Sequence, residues 1–469
     1  MSGLSDLPAQ RFDAAGKAQV DYGAIWALAG PMMANSTIQA VLNLTDTWFV
    51  SRLSMTATAA MAAIYWVVLC AIILLGGIGM ATQTFTAQAF GGRRLARASH
   101  AAWMGIYASI ASIPLFVLIS FTGKPLLHLL HLEPHIQELA LEYWWPRLIV
   151  TGPLGLMVWS LTGFFNGANR ARDTLLVTVV MGLANIPFNQ FFIFNMKMGI
   201  SGSAWGTAAA EILGLGVAFW IFLSPSIRTQ FRSHLTWRHI DLSKQFSVGL
   251  PMGLSTTADL IGLSLFQLML VSLSVTAGAA TQIVIMLTSL AYMPGIGIAL
   301  AGTTLVGQAI GANNRDWAHR IGNAIIRLVM GFMGIVGVVL ALASPWILPL
   351  FIHADDPQGP AVLALANVLI WLAACYQLFD GLNLGSGFCL RGAGDVRIPA
   401  LLVAVLSWVI WVPLTHMFIF EPNAGWVHGL PAFGFGAIGG WAVSVGYVVA
   451  LGIGLWLRWA SGAWRKLKL

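Results

Sequence analysis

The sequence predicts an all-α polytopic membrane protein with 12 transmembrane helices, and three observations carry that prediction. Of 469 residues, 58% are hydrophobic and only 9% are charged, whereas an ordinary soluble domain is about 25% charged. Twelve runs of mostly apolar residues can be marked, each near the ~20 residues a helix needs to cross the hydrocarbon core. They are too long and too uniformly apolar for barrel strands, so the backbone must satisfy its hydrogen bonds within helices.

Residues 1–21 are polar, with Asp6, Arg11, Asp13 and Lys17, and hold no apolar stretch of signal-peptide type, so they read as a cytosolic tail. The spans then begin near Tyr22, Ala60, Ala101, Leu139, Thr174 and Gly199 in a first set of six. A second set begins near Phe246, Thr281, Ile321, Ala361, Ile398 and Phe435. Connectors are short and rich in Gly, Pro and charge, as in Gly91-Gly92-Arg93-Arg94 and Asp355-Asp356-Pro357. Residues 22–224 and 246–459 form two six-helix lobes, 225–245 is the cytosolic linker between them, and 460–469 is a basic cytosolic tail.

Orientation follows from the distribution of Lys and Arg. With the N-terminal tail in the cytosol, the even-numbered connectors and both tails hold all but four of the 24 basic residues; Arg52, Lys124, Arg147 and Lys197 remain outside. Both termini are therefore expected in the cytosol. The formal charge of +7 is dispersed in these clusters without a basic stripe, which excludes nucleic acid as a partner. Cys70, Cys375 and Cys389 lie in apolar runs, without a disulfide framework or CxxC spacing.

The chain reads as a duplication. Pro31 and Pro251 stand 220 residues apart in Ala29-Gly30-Pro31-Met32 and Gly249-Leu250-Pro251-Met252. The same offset relates Gln88-Ala89-Phe90-Gly91 to Gln308-Ala309-Ile310-Gly311, and Asn166-Gly167-Ala168-Asn169 echoes Arg391-Gly392-Ala393-Gly394 at a slightly longer one. Six spans per copy insert in the same orientation, so the lobes are parallel repeats with a central cavity between them. Pro31 and Pro251 each interrupt a helical ladder and permit a bend.

An acid at a helix centre costs about 2.5–3.5 kcal/mol on insertion scales, which makes each one a functional candidate. Asp259 shares a helix face with Ser255 and Thr256, and Gly262 one turn on leaves room for an ion or a neighbour. Asp380 shares its face with Tyr376, Gln377 and Asn383, oxygens able to ligate a hard cation beside a carboxylate able to carry a proton. Burial for packing alone is the competing reading of both acids. Asp46 follows a stripe of Asn35, Gln39 and Asn43; Asn185 and Asn189 around Pro187 are its expected partners, and an interfacial pair with Arg52 is the alternative. Glu211, one turn after Thr207, reads equally well as half of a structural salt bridge. The 20 Trp, 25 Phe and 18 Met belong mostly to packing and to the interfacial belt, with a few free to line a cavity. His128, His131, His135, His353 and His428 avoid the spans and lack metal-ligand spacing.

From Tyr22 to about Trp459 the chain resembles the MATE (multidrug and toxic compound extrusion) family. The resemblance rests on Pro31 with Leu44-Thr45-Asp46-Thr47-Trp48-Phe49-Val50, on the Gln-Ala-x-Gly loops, and on Leu390-Arg391-Gly392-Ala393-Gly394-Asp395. Gly249-Leu250-Pro251 with an acid eight residues on, and Tyr376-x-x-x-Asp380, resemble the NorM-like branch. That resemblance implies a coupling-cation site, for Na⁺ or H⁺, at Asp259, Tyr376 and Asp380, with Asp46 as the acid of the first lobe. The helix-seven acid of that branch is usually Glu, one methylene longer than Asp259. The DinF-like branch has Asp where this chain has Asn189, so a sodium cage of Asp46, Asn185, Asn189 and Thr207 would lack one carboxylate.

The implied function is a secondary efflux transporter in the plasma membrane (the inner membrane of a Gram-negative cell). It would exchange amphipathic or cationic organic compounds for inward Na⁺ or H⁺, with no cofactor, the lipid bilayer as its surroundings, and a monomer as the working unit. Asn35, Gln39, Asn43, Asn185, Asn189, Thr207, Ser255, Thr256, Gln377 and Asn383 would supply the polar cavity. A flippase for lipid-linked oligosaccharides is the alternative; its anionic cargo calls for basic residues inside, whereas the buried charges read as acidic. An enzyme is not expected, because HExxH, CxxC and Gly-rich nucleotide motifs are missing from the sequence. A passive channel is disfavoured by the duplicated, linked halves.

Overall fold

Side-chain caps set where the long helices begin, in a computed structural model that describes residues 7–129, 134–233, 241–351, 357–422, 424–427 and 429–467. The carboxylate of Asp21 accepts from the backbone N–H groups of Gly23 and Ala24 and starts α1 (Tyr22–Ser51). The hydroxyl of Ser54 accepts from Ala57 N–H and starts α2 (Met55–Gly91). Analogous roles fall 220 residues later: Asp241 caps α7 (Leu242–Leu273) and Ser274 caps α8 (Val275–Gly311). Capping therefore repeats with the duplication. The second and eighth helices start one or two turns before the apolar signal at Ala60 and Thr281, because a cap marks where hydrogen bonding begins and hydropathy marks where lipid begins.

Between and after these run α3 (Leu95–His128), α4 (Pro134–Gly167), α5 (Ala171–Asn195), α6 (Gly199–Phe222), α9 (Arg315–Phe351), α10 (Gly359–Ala393), α11 (Arg397–Ile419) and α12 (Gly436–Ala460). Among the described residues 11 helices are long and apolar enough to cross a membrane. The exception is α1: its 30 residues suffice in length, but Asn35, Gln39, Asn43 and Asp46 dilute its apolar surface. Large apolar side chains remain exposed on the outside, Trp220 and Trp346 at 75% and 74%, as acyl chains allow and water does not. Turns of π-helix at Arg147–Thr151 in α4, Gln190–Asn195 in α5 and Leu406–Trp411 in α11 each lie close to a proline, whose missing N–H shifts the ladder.

The membrane-spanning body is all-helical as expected, and a small strand pair is added in the N-terminal tail. Gln10–Phe12 and Ala18–Val20 pair as a small antiparallel hairpin, Gln10 opposite Val20, and Trp317 Nε1 donates to Pro8 O at 2.9 Å. The N-terminal segment is thus docked on α9, and the fold is nearly all-helical. His131, His353, His428, the connector acids Asp355 and Asp356, Arg238 of the linker and Lys468 of the basic tail lie outside the described residues.

One apolar core joins α7–α12 with the start of α1, through Ile25, Leu28 and Met32; two others are built mainly from α2–α6, with Val50 of α1 in one and Ile227 and Phe231 beyond α6 in the other. Glycines let helices from the two halves touch by backbone. A Cβ on Gly77 of α2 would stand 2.2 Å from Gly249 O of α7, and one on Gly297 of α8 would stand 2.4 Å from Met33 Cα of α1.

The ends of α2 and α8 are clasped across the halves by a hydrogen-bond set that mirrors itself. Gln88 Nε2 donates to Gly392 O at 3.0 Å, and its counterpart Gln308 Nε2 donates to Gly167 O at 2.9 Å. Gly91 lies against Gln308 O, and Gly311 against Gln88 O, so closely that a Cβ on either would sit at 1.9 Å. Gln83 Nε2 reaches Leu300 O and Thr304 Oγ1, both at 3.0 Å. Gln245 Nε2 reaches Thr82 Oγ1 at 3.0 Å. Polar bonds here replace the hydrophobic contact that lipid would render neutral.

Candidate functional site

Two buried carboxyl sites and one cavity result from this packing. In the first half, Asp46 of α1 is buried and bound by three side chains. Asn185 and Asn189, one turn apart on α5, donate to its Oδ1 at 3.1 and 2.7 Å, and Thr207 of α6 donates to Oδ2 at 3.0 Å. Asn189 also donates to Asn185 Oδ1 at 3.0 Å. Gly206 makes the approach possible, since a Cβ there would stand 2.3 Å from Asn189 Oδ1. That oxygen has no hydrogen-bond partner among the described residues. Arg52 instead lies over the Trp48 ring at 4.9 Å, so the interfacial Asp46–Arg52 pair is not what forms.

Arg147 departs from its expected place on an outer connector. It is buried on the π turn of α4, with its guanidinium 5.7 Å from the Tyr143 ring centre. Glu211 Oε2 is buried without a hydrogen-bond partner among the described residues.

In the second half, Asp259 of α7 receives a hydrogen bond from Tyr447 Oη of α12 at 2.6 Å. Tyr447 is held by stacking on Trp411, with ring centres 4.5 Å apart and planes 6° from parallel. Gly262 does not leave an open place for an ion: Trp411 and Ser407 fill it, and a Cβ would meet either at 2.7 Å. Asp380 of α10 is buried and accepts from Asn383 Nδ2 at 3.2 Å. Its polar face divides. Tyr376 Oη donates to Thr288 Oγ1 at 3.2 Å and Gln377 Nε2 to Thr288 O at 3.1 Å, so both residues face α8. Asp259 and Asp380 lie within electrostatic reach of each other, and both act on Tyr292.

A cavity of about 310 Å³ lies against the clasped end. Of the sequence-expected residues it is lined by Asn35, Ser255, Thr256, Asp259 and Asn383. Thr178 Oγ1 of α5 donates to Asn35 Oδ1. Gln39, Asn43, Tyr376, Gln377, Asp380 and the Asp46 cluster are not on its wall, and Asn43 is exposed. The reason is geometric: α1 packs by its first turns against α8, and only the part of its polar stripe near that crossing faces the cavity. Pro31 and Pro251 both lie inside uninterrupted helices.

Four participants escaped the sequence reading. Thr288 (beside Ser289), Tyr292 and Tyr447 lie in apolar spans; the scarcity of Tyr, seven in all, is the signal that marks the two tyrosines, and nothing marks Thr288. By sequence Arg391 follows the tenth apolar run and reads as part of a cytosolic connector, yet α10 continues to Ala393 and the guanidinium lines the cavity. Its Nη2 donates to Thr256 Oγ1 at 3.2 Å, and its Cζ lies 4.5 Å from the Phe388 ring centre. The expectation that interior charges are all acidic is overturned by Arg391 and Arg147.

A family model described as MatE matches residues 31–191 and 251–417. A multidrug resistance protein NorM of Burkholderia vietnamiensis is 28% identical over 408 residues, which cover 85% of this chain and 87% of that protein. Among solved structures, the outward-facing conformation of a multidrug resistance MATE family transporter of the MOP superfamily superposes with a TM-score of 0.77 at 22% identity, over 94% of this chain and 96% of that one. A MOP superfamily transporter from Pyrococcus furiosus, described as having a binding pocket of reverse polarity, gives 0.79 at 22% identity over the same shares. At that identity the likeness shows the fold.

Proposed function

Because this chain belongs to the MatE family, whose model covers both of its halves, we propose that it is a secondary multidrug efflux transporter. It exchanges amphipathic or cationic organic compounds for inward Na⁺ or H⁺ by alternating access. Its two lobes, residues 22–224 and 246–459, rock about the linker at 225–245, in a plasma membrane with both termini in the cytosol, and the monomer is the working unit.

The observation that carries the reading is a pair of carboxyl groups in the second half, one on the cavity wall and one off it. Asp259 faces the cavity, while Asp380 lies off its wall and within electrostatic reach of Asp259. A cation or proton arriving at this pair changes the charge that a bound organic cation meets, so ion and cargo compete or favour different states, as antiport requires. Asp46, held by Asn185, Asn189 and Thr207, is a second acid the first lobe contributes. The clasp between Gln88, Gln308 and their carbonyl partners supports a state closed at the end bearing the basic connectors. One charge crossing supplies about 2.3 kcal/mol per 100 mV, enough for a concentration ratio of tens.

The test is dye efflux from proteoliposomes driven by a sodium or pH jump, with membrane potential recorded. Coupled, electrogenic efflux that one of the two jumps drives supports the reading and names the ion. Scrambling of a lipid-linked pyrophosphate sugar without ion dependence would instead support the flippase alternative, which Arg391 in the cavity favours and Asp259 opposes.

A further inference from the structure

We propose that the outer face of α9 binds an anionic phospholipid, its phosphate held by Arg320 and Arg327 and an acyl chain laid along Gly331, Gly334 and Val338. This goes beyond the efflux reading and does not rest on it. Positions 320, 327, 331, 334 and 338 recur at the spacing of one helix face. Arg320 and Arg327 are both exposed, two turns or about 10.5 Å apart along the axis. The rest of α9, residues 328–351, carries no charged side chain. At 1.5 Å per residue that stretch is about 36 Å long, close to the ~30 Å thickness of the hydrocarbon core. Arg327 therefore stands where acyl chains give way to headgroups, and Arg320 stands among the headgroups. In the orientation proposed above, that leaflet is the cytosolic one.

Among the described residues neither guanidinium has an acid of its own, whereas Arg170 and Arg458 are paired with Asp173 and Asp395. Asp316 lies one turn before Arg320, and Arg465 of the turn after α12 occupies it at 2.8 Å. Arg327 Nε donates to Asn323 O, one turn nearer the helix start, at 3.1 Å. That bond folds the side chain toward the headgroups and leaves the two terminal nitrogens for two oxygens of a phosphate. The platform is fixed from α12: Trp459 Nε1 donates to Asn323 Oδ1 at 2.9 Å, and Trp459 stacks on Trp464 with ring centres 4.6 Å apart. One turn deeper, Gly331 has nothing within 4 Å of its Cβ position, and Gly334 has Leu378 of α10 at 3.0 Å. The missing side chains leave an apolar trough bordered by exposed Leu378 and Val338. A soluble anion would answer only the arginines; a phosphate joined to an acyl chain answers the trough as well.

Dioleoyl phosphatidylglycerol and dioleoyl phosphatidylcholine are the probes, an anionic and a neutral lipid with the same chains. Their binding to the purified full-length protein in an uncharged detergent is read by native mass spectrometry, as the dissociation constant of the first bound lipid. The anionic lipid is expected to bind at least about tenfold more tightly, each arginine contributing roughly a factor of five. Arg320→Gln combined with Arg327→Gln should bring that ratio near one. Arg228→Gln with Arg232→Gln, exposed on the linker between the halves, should leave it unchanged. Equal wild-type affinities, a ratio that survives the α9 pair, or an equal loss from the linker pair would each overturn the proposal. So would release of the anionic lipid by an equimolar amount of glycerol 1-phosphate, which would give the arginines to a soluble phosphate. If the double variant aggregates, Arg327→Gln alone decides: a loss of about fivefold is expected, and no loss overturns the site. The readout involves neither coupling ion nor cargo, so a failed efflux assay leaves this proposal standing, and failure here leaves the efflux reading untouched.

Discussion

Asp380 shows how a single side chain can be legible in one respect and hidden in another. An acid in the middle of an apolar run is conspicuous in a sequence, yet the direction it faces depends on α8, whose Thr288 draws Tyr376 and Gln377 to itself. Asp380→Asn is expected to abolish ion-coupled efflux while leaving insertion and monodispersity intact, measured by sodium- or pH-driven dye transport in proteoliposomes. Asp259→Asn should do nearly the same. Tyr447→Phe removes the 2.6 Å hydrogen bond to Asp259 without altering its burial. The ion concentration for half-maximal transport should then move several-fold, and an unchanged ion dependence would show that this hydroxyl only packs. Asp46→Asn tests the first lobe in the same assay; unchanged coupling and drug affinity would confine the mechanism to the second lobe.

Helices meet here through glycine, and the consequence can be measured on α6. Gly206 admits Asn189, whose side-chain oxygen would be 2.3 Å from an added Cβ and whose backbone N would be 3.0 Å away. Gly206→Ala must push α5 and α6 apart or expel Asn189 from Asp46, a loss of about 1–3 kcal/mol by analogy with overpacked cores. Gly216, on the same helix, has nothing within 4 Å of its Cβ position, so Gly216→Ala should be neutral or stabilising by about 0.5–1 kcal/mol. Thermal unfolding followed by tryptophan fluorescence separates the two; equal effects would deny that the α5–α6 contact is special. Element existence was readable from apolar length, but starting points were not, because Ser54 and Ser274 cap helices well before the lipid-facing stretch.

At the scale of the whole molecule the mirrored clasp joins the two halves at one end of the cavity. Gln88 donates one hydrogen bond across the halves, and Gln308 donates two, to Gly167 O and Asn169 Oδ1; a bond of this kind contributes about 1 kcal/mol net. Replacing both by Ala should shift the equilibrium between closed and open by about 3 kcal/mol, roughly a hundredfold or more. In a Ser255→Cys background, labelling of the cavity by an impermeant maleimide from the basic-connector side should rise accordingly. No increase would mean that the glycine contacts at Gly91 and Gly311 alone keep the end shut. The orientation is checked separately: Cys introduced at Asn313 should react in inside-out vesicles and Cys at Leu53 in right-side-out ones.

Sequence alone determined the membrane class, the helical composition, the duplication and the set of unusual acids, because length, period and the expense of a charge in lipid are local properties of a chain. Tertiary structure alone decided that Asp46 is bound by two asparagines and a threonine, that Tyr447 belongs to Asp259, and that Arg391 points inward rather than to the cytosol. Those outcomes depend on how far a helix continues past its last apolar residue and on which neighbour reaches a polar group first. Neither is fixed until helices from both halves are packed together.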